Sequence, residues 1–395
     1  MSRKKKLTVL CSTLLLSSVF ASPTMAAPND KPVQAQSQEY AISGFISHAE
    51  LSKKLMQIEK NSQGNVNVQV AGYSNLDREI YKATVGSGDK VILVQSEIHG
   101  NEKTGTAALL NLLQQLGSNS PEAKKIRSEV TIVAMPMMNP DATELNRRGN
   151  DMSWSEVVND FPQLASASPS WNYYTYTNQY WDYASNPGFD VNRDFNPDLN
   201  YVPQPEDFPS NSSNPGWYIT PEAQTVRDVY KGLMSEFGKV DVFVDLHHQG
   251  EYFVEGTDDK VTLSISGDFV PDPDSEEGAE YREYADTYDG DFSKQLNVSV
   301  YNALQERGDS PFDNITLYPQ GLDLPGTALG SFALNGSGAV LFEVTGQTQS
   351  YGQKEKGRLI KAVEIGLYGI IDGVTSGDVY EINPDEYEEI PLTER

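Results

Sequence analysis

The chain has 395 residues, four histidines, one cysteine and a formal net charge of −26 at pH 7. A chain of this length can bury a hydrophobic core without help from disulfides. Its strong negative charge repels nucleic acid and anionic membrane surfaces, so we exclude both as partners and take the charge as an aid to solubility.

Residues 1–26 have the pattern of a secretory signal peptide. Arg3 begins a run of four positive residues, residues 7–20 are apolar, and residues 24–26 form a plausible cleavage site. Cys11 lies inside this segment, so the mature chain is predicted to have no disulfide and no reactive thiol. No other stretch is apolar enough to span a membrane. We therefore expect a secreted, extracellular monomer without a membrane anchor.

The elements predicted along the rest of the chain alternate between strand and helix. After a flexible lead-in at 27–39, Ser47 and Glu50 form a capping box that begins a helix. This alternation from residue 40 to 375 predicts a single α/β domain, a mixed and largely parallel twisted sheet with helices on both faces. Strands are predicted at 66–73, 79–85, 91–95, 129–135, 241–246 and 338–343, and further helices at 103–116, from about 221, and at 354–373.

Three segments interrupt this rhythm. Residues 151–188 are rich in Trp and Tyr, and they either line a binding funnel, with extra subsites or sugar-stacking rings, or form a surface lobe packed on itself. Residues 257–292 are rich in Asp, Glu and Gly. They lack the spacing of an EF-hand, so we interpret them as a solvated insertion rather than a calcium site. Residues 376–395 are expected to form an extended acidic tail.

A histidine and a glutamate follow the strand at 91–95 at a spacing that suits a metal ion. His99 and Glu102 are three residues apart where the strand turns into a helix, so both can reach one ion. A catalytic zinc site needs a third ligand, and such sites collect at the carboxyl ends of parallel strands. The strand at 241–246 leads directly to His247 and His248, whereas His48 is expected on a surface helix.

Five motifs, in order, give the chain a resemblance to zinc carboxypeptidases of the carboxypeptidase A type. They are His99-x-x-Glu102, Asn139-Pro-Asp141, Asp190-Val-Asn-Arg193, Asp245-Leu-His247, and Glu343 at the end of the strand at 338–343. The resemblance covers about residues 40–375. It implies one zinc ion held by His99, Glu102 and His247, with a coordination position left for water.

The same resemblance implies roles for the residues around the metal. Glu343 would be the general base on the zinc-bound water. Arg148, or its neighbour Arg147, would polarise the scissile carbonyl. Three further residues complete this set: Asp190 would orient His99, and Asn192 and Arg193 would bind the substrate's terminal carboxylate.

The segment 317–328 resembles the part of these enzymes that covers the substrate. Tyr318 matches the family's mobile tyrosine, although the alignment needs a small insertion. Ala328 falls where the family sets its side-chain preference. A small apolar residue there argues against an acidic pocket for C-terminal Lys or Arg.

The function implied is that of a secreted zinc metallocarboxypeptidase, whose substrate is a peptide or protein with a free C-terminal carboxylate. Two alternatives stay open from the sequence. The first is a zinc peptidase or amidase acting on cell-wall stem peptides with D-amino acids or γ-linkages. The second is a non-catalytic secreted binding protein on the same scaffold.

Overall fold

The structure is a computed structural model that describes residues 44–178, 180–306, 314–346 and 353–395. The predicted signal peptide at 1–26 and the lead-in at 27–39 lie outside these residues. All the described residues belong to one compact unit. Across them, we find no helix with the length and apolar character needed to cross a bilayer.

Eight strands form one large mixed sheet, in the order β1-β2-β4-β3-β9-β13-β11-β12. Its central strands β4, β3, β9 and β13 run parallel to one another. On one side β2 pairs antiparallel with β4 and β1, and on the other β11 pairs antiparallel with β13 and parallel with the edge strand β12. The fold class predicted from the sequence is therefore confirmed. The strands are β1 (Val66–Tyr73), β2 (Glu79–Gly86), β3 (Lys90–Ser96), β4 (Val130–Met135), β5 (Tyr173–Tyr174), β6 (Thr177–Asn178), β7 (Trp181–Asp182), β8 (Gly188–Phe189), β9 (Val242–Gln249), β10 (Phe253–Val254), β11 (Leu263–Ser266), β12 (Ile315–Leu317), β13 (Gly338–Thr345) and β14 (Thr393–Glu394).

Helices cover both faces of the sheet, because successive residues of its central strands point to opposite sides. In β9, Val242 and Val244 enter the core beneath α1, α2, α7 and α9, whereas Phe243 enters the core beneath α6 and α8. On that second face Tyr230 and Phe332 stack with ring centroids 4.0 Å apart. The helices are α1 (His48–Asn61), α2 (Thr104–Leu116), α3 (Pro121–Glu129), α4 (Pro140–Leu145), α5 (Trp154–Asp160), α6 (Pro221–Phe237), α7 (Gly290–Gln305), α8 (Ala328–Leu334) and α9 (Gln353–Ser376).

Two segments differ from their sequence interpretation. The acidic segment 257–292 contains β11, a strand of the large sheet, because Leu263 and Ile265 alternate into the core within the acidic surroundings. The tail at 376–395 is not extended. It forms two 3-10 turns and β14, and its Val379 and Tyr387 are buried against the core that includes α7 and α9.

The aromatic segment 151–188 folds into a lobe with its own small core. Its Val157 and Leu164 pack with Trp217 and Ile219 from outside the segment, and β5 pairs with β8. The described residues of the segment therefore form a packed lobe, and its contribution to substrate binding stays a prediction. The segment also contacts Asp190, through hydrogen bonds between Asn172 and the Asp190 backbone and through the Tyr174 hydroxyl, which lies 3.5 Å from an Asp190 carboxylate oxygen.

Candidate active site

The parallel register of the sheet brings the chemically important residues to one edge. In β9 and β13, His247 pairs directly with Glu343. In β3 and β9, Ser96 pairs with Leu246, so the chain that leaves β3 carries His99 to the same edge. This is the position expected for a site at the carboxyl ends of parallel strands.

Three side chains converge here in the arrangement of a metal site. The Nδ1 atoms of His99 and His247 lie 3.2 Å apart. Glu102 places one carboxylate oxygen 3.1 Å from the first and the other 2.8 Å from the second. His99, Glu102 and His247 each offer one ligand atom, and these three atoms lie within 4.8 Å of one another. All three residues are buried. Two buried imidazole nitrogens facing a carboxylate at these distances suit a shared cation, and the N,N,O set suits zinc.

A second layer of carboxylates fixes the two rings. His99 Nε2 lies 3.1 Å from Asp190, and His247 Nε2 lies 3.0 Å from Asp245. A carboxylate that accepts the Nε2 proton leaves the Nδ1 lone pair free for a metal. Burial raises the pKa of Asp190, but Arg148 and His99 outweigh it and hold that pKa well below its usual value. The closeness of Asp245 to the His247 ring was not predicted, although its position two residues before His247 on one strand face was available in the sequence.

The turn between β3 and α2 is held from beneath by Glu97. This residue is fully buried and has a positive φ of 55°, which a non-glycine residue rarely adopts. Its carboxyl group accepts hydrogen bonds from Thr106 and, at 2.6 Å, from Thr143, and the Lys103 ammonium lies 3.7 Å away. The turn that carries His99 is thereby pinned to α2 and α4.

His248 has a structural place beside the ligands. Its Nε2 accepts a hydrogen bond of 3.0 Å from the Thr104 amide at the start of α2, and its Nδ1 lies 2.8 Å from the Gly346 carbonyl. Burial lowers the pKa of its ring to about 4, so the ring is neutral. Its backbone amide donates to Glu102 at 3.1 Å, which helps to orient that carboxylate.

Glu343 has the environment of a proton acceptor. Its side chain is 9% exposed and lines the same cavity as the three converging residues. Within the described part of the chain, its Oε2 has no hydrogen-bond partner. Burial, reinforced by the Glu102 carboxylate, raises the pKa of Glu343 to about 8, so it holds a proton more tightly than a solvated carboxylate.

The structure separates the two adjacent arginines left as alternatives. Arg148 points towards the ligands, since its Nε donates to Asp190 at 2.8 Å and its Nη1 lies 3.4 Å from His99 Nδ1. Burial would lower the pKa of Arg148, but the Asp190 carboxylate raises it, so the guanidinium stays charged. Arg147 points away, into a cage of backbone carbonyls beneath the Tyr183 ring, and its role in substrate binding is not supported by its position. The carbonyls belong to Gly149, Asn150, Asn186 and Pro187.

Asn192 and Arg193 also line the cavity, and no ion pair of Arg193 is found among the described residues. Arg193 donates from Nη1 to the Asn192 carbonyl at 2.6 Å, and its buried Nε has no partner among the described residues. Asn192 accepts a hydrogen bond of 3.0 Å from the Ala328 amide and places its Nδ2 3.3 Å from His247. A guanidinium with a free buried donor suits a carboxylate ligand.

The cavity that joins these groups measures about 200 Å³. This is smaller than the usual site for a drug-sized ligand, so it suits one residue of a chain. Tyr318 lines it, whereas Ala328 is fully buried and its neighbours Thr327 and Leu329 reach the cavity instead. A larger cleft of about 1100 Å³ between α2, α3, α7 and α9 lacks such a constellation of ligands, so the chemistry favours the smaller cavity.

A buried His, Glu and His set beside an unpartnered glutamate, at the carboxyl ends of parallel strands, defines the class of zinc-dependent hydrolases. The family model for zinc carboxypeptidase matches residues 51–365, and the chain belongs to this family. It is accordingly a metallocarboxypeptidase, a hydrolase that uses one zinc ion and acts on the C-terminal residues of peptides.

Solved structures share the fold at low sequence identity. The chain resembles thrombin activatable fibrinolysis inhibitor (TAFI), with a TM-score of 0.55 and 12% identity over 84% of this chain and 78% of that one. It also resembles bovine thrombin-activatable fibrinolysis inhibitor in complex with tick carboxypeptidase inhibitor, with a TM-score of 0.52 and 13% identity over 84% and 98% of the two chains. A third similar structure is carboxypeptidase A from Helicoverpa armigera, with a TM-score of 0.50 and 13% identity over 83% and 74%.

Proposed function

We propose that this protein is a secreted carboxypeptidase that uses Glu343 as its general base and Arg193 as its anchor for the terminal carboxylate. The observation that carries the proposal is a single cavity lined by the three metal-binding side chains, the Glu343 carboxylate and the Arg193 guanidinium. A binding protein would gain nothing from a buried carboxylate oxygen without a partner beside a metal site. A hydrolase needs a proton acceptor at that point.

The residues divide the reaction between them. When zinc is bound by His99, Glu102 and His247, it supplies Lewis acidity towards water and the substrate carbonyl. Glu343 accepts a proton from the attacking water at its unpartnered oxygen and returns it to the leaving amine. Arg148, held charged by Asp190, stabilises the negative charge that develops on the carbonyl oxygen.

The substrate is oriented by groups on the other side of the scissile bond. Arg193 binds the terminal carboxylate through its free donors, and the Asn192 amide group lies next to it. Two steps of recognition follow: the carboxylate fixes the end of the chain, and the small cavity receives one side chain. Cleavage then removes a single residue.

The experiment that tests this function compares two kinds of substrate. The zinc-loaded protein is incubated with a proteome-derived peptide library and, separately, with purified cell-wall stem peptides, and the products are identified by mass spectrometry. We expect loss of single C-terminal residues from library peptides. If only the wall peptides are cleaved, the protein is the cell-wall peptidase of the first alternative. Cleavage at internal peptide bonds would contradict an exopeptidase.

The proposal of secretion rests on residues 1–26 and has its own measurement. We expect the protein in the culture medium of its host, with an N-terminus that begins close to residue 27. N-terminal sequencing of the protein from the medium checks this. Retention in the cell of a chain that still carries Arg3 would contradict it.

A further inference from the structure

The last residues of the sequence lie against the substrate cavity and are fixed there by backbone hydrogen bonds. The Leu317 amide donates to the Pro391 carbonyl at 2.7 Å, and the Glu255 amide donates to the Leu392 carbonyl at 2.9 Å. β14 pairs antiparallel with β10, so Glu394 lies opposite Phe253. This segment therefore bridges two parts of the site instead of projecting into solvent.

The Thr393 side chain anchors the segment to the large sheet. Its hydroxyl donates to the Leu317 carbonyl at 2.6 Å and lies 2.9 Å from the Ser264 hydroxyl and 2.7 Å from the Thr316 hydroxyl. Leu317 directly precedes Tyr318, which lines the cavity. The position of residue 395 relative to the cavity is thus set by β11 and β12 of the sheet.

Arg395 places its guanidinium between two tyrosine rings at the cavity. Its Cζ lies 4.9 Å from the Tyr252 ring centroid and 4.3 Å from the Tyr318 ring centroid, and all three residues line the cavity. Stacking on two rings restricts the plane of a guanidinium without using its hydrogen-bond donors. Among the residues that the structure describes, no carboxylate lies within ion-pair distance of it.

The two ends of the cavity differ in depth and character. Phe269, Leu329 and Leu341 form a buried apolar wall, which suits the side chain of the residue to be removed. Arg395 is exposed at the rim. If the terminal residue of a peptide occupied the apolar end, the peptide would leave past Arg395, and the residue before the scissile bond would lie beside it.

We propose that Arg395 is a specificity-determining residue that binds an acidic side chain at the penultimate position of the substrate. The inference rests on the proposed function, because it assumes that a peptide's C-terminal residue enters the cavity. A planar, pre-oriented guanidinium with free donors favours a carboxylate over the isosteric amide. The chain's large negative charge gives no such preference by itself, since it repels acidic peptides.

The test uses two acetylated peptides that end in Glu-Phe or Gln-Phe and are otherwise identical. We expect kcat/KM for the Glu peptide to exceed that for the Gln peptide roughly fivefold, the scale of a partly exposed ion pair. In Arg395→Ala the ratio should fall to about one, and in Arg395→Glu a peptide ending in Lys-Phe should become the preferred one. Arg282→Ala, which removes an exposed arginine paired with Asp274, is the matched control and should keep the wild-type ratio.

Other outcomes overturn the assignment. If the ratio of kcat/KM for the Glu and Gln peptides is unchanged in Arg395→Ala, Arg395 does not take part in recognition. If turnover of both peptides rises equally, residues 391–395 obstruct the cavity instead of selecting the substrate. A preference for Glu at the last position, in a second pair of peptides, would contradict the proposed placement.

A binding measurement separates this inference from the proposed function. Titration of the same peptides into Glu343→Gln protein, with and without Arg395→Ala, reports on recognition without turnover. A Glu-over-Gln preference in binding that Arg395→Ala abolishes supports the inference even if no peptide is cleaved. Cleavage of both peptides without any such preference would overturn the inference and leave the proposed function intact.

Discussion

At the scale of single residues, Glu343 is the position where chemistry and structure are most closely tied. Its register partner His247 fixes it beside the metal-binding residues, and its free oxygen faces the cavity. Without a metal ion, burial raises its pKa to about 8, so its carboxyl group is mostly protonated at neutral pH. The nearby zinc charge, when present, opposes this rise because it favours the carboxylate.

Replacement of Glu343 by Gln should remove the proposed base and keep the metal. We expect kcat to fall about 10²- to 10⁴-fold, the usual contribution of a general base, with one zinc still bound per chain. Steady-state kinetics and metal analysis measure the two quantities. Glu364→Gln, at a buried glutamate of α9 bonded to Asn111 and Lys361, is the control and should retain activity. Full turnover in Glu343→Gln would place the base elsewhere.

The adjacent arginines give a pair of variants with different expected effects on catalysis. Arg148→Ala should lower kcat about 10²- to 10³-fold, because it removes the donor proposed to act on the reacting carbonyl, and it should also lower stability because the buried Asp190 carboxylate loses its cation. Arg147→Ala should instead lower the free energy of unfolding, since it leaves several buried carbonyls without a donor. Steady-state kinetics and denaturant unfolding of both variants measure the two effects. A large loss of kcat in Arg147→Ala, with kcat unchanged in Arg148→Ala, would show that Arg147 is the residue that acts on the substrate.

At the scale of elements, the turn between β3 and α2 decides whether two ligands meet. Glu97 holds this turn through Thr106, Thr143 and Lys103, all buried. Met138 and Asn139, which follow β4, also donate backbone hydrogen bonds to Ser96 and Glu97 at 3.0 and 3.2 Å. The Asn139-Pro-Asp141 motif therefore acts as a brace for the metal-binding turn.

Glu97→Ala should weaken both the fold and the metal site. It removes the carboxylate that faces the buried Lys103 ammonium at 3.7 Å, and breaking a buried ion pair from one side costs about 3 kcal/mol in the free energy of unfolding. Because His99 follows two residues later, zinc affinity should fall as well. Denaturant unfolding and competition with a zinc chelator check the two effects, and Glu97→Gln should lose less of each. Wild-type zinc affinity in Glu97→Ala would show that the turn is held by other contacts.

At the scale of the whole molecule, the metal site sits on a core that does not depend on it. Two apolar clusters, one on each face of the sheet, bury residues from most of the long strands and helices. A sheet covered on both faces is stable through this burial. Zinc therefore adds to stability by mass action and supplies catalysis.

Removal of zinc by a chelator should abolish activity and preserve the fold. We expect an unchanged far-ultraviolet circular dichroism spectrum and a lower melting temperature, because a ligand at 100 times its Kd stabilises by about 2.7 kcal/mol. Zinc should restore activity, whereas magnesium should not, since imidazole ligands favour zinc. Loss of the spectrum on chelation would make the metal a structural one.

The sequence by itself determined the fold class and the main ligands of the site. Strand and helix periodicity was sufficient for the central strands, because their apolar runs are continuous, and motif order was sufficient for His99, Glu102 and His247. β11 escaped this reasoning because its alternating pattern spans only a few residues inside an acidic segment. Local patterns carry this information because they depend on neighbours in the chain.

Only the tertiary structure decided the contacts between residues that are distant in the chain. It separated Arg148 from Arg147, since which of two neighbours faces the site depends on the carbonyl cage formed by residues about 40 positions away. It also brought Arg395 beside Tyr318. The physical reason is that the register of β9, β13 and β12, and the pairing of β14 with β10, sets these distances through packing that no local pattern encodes.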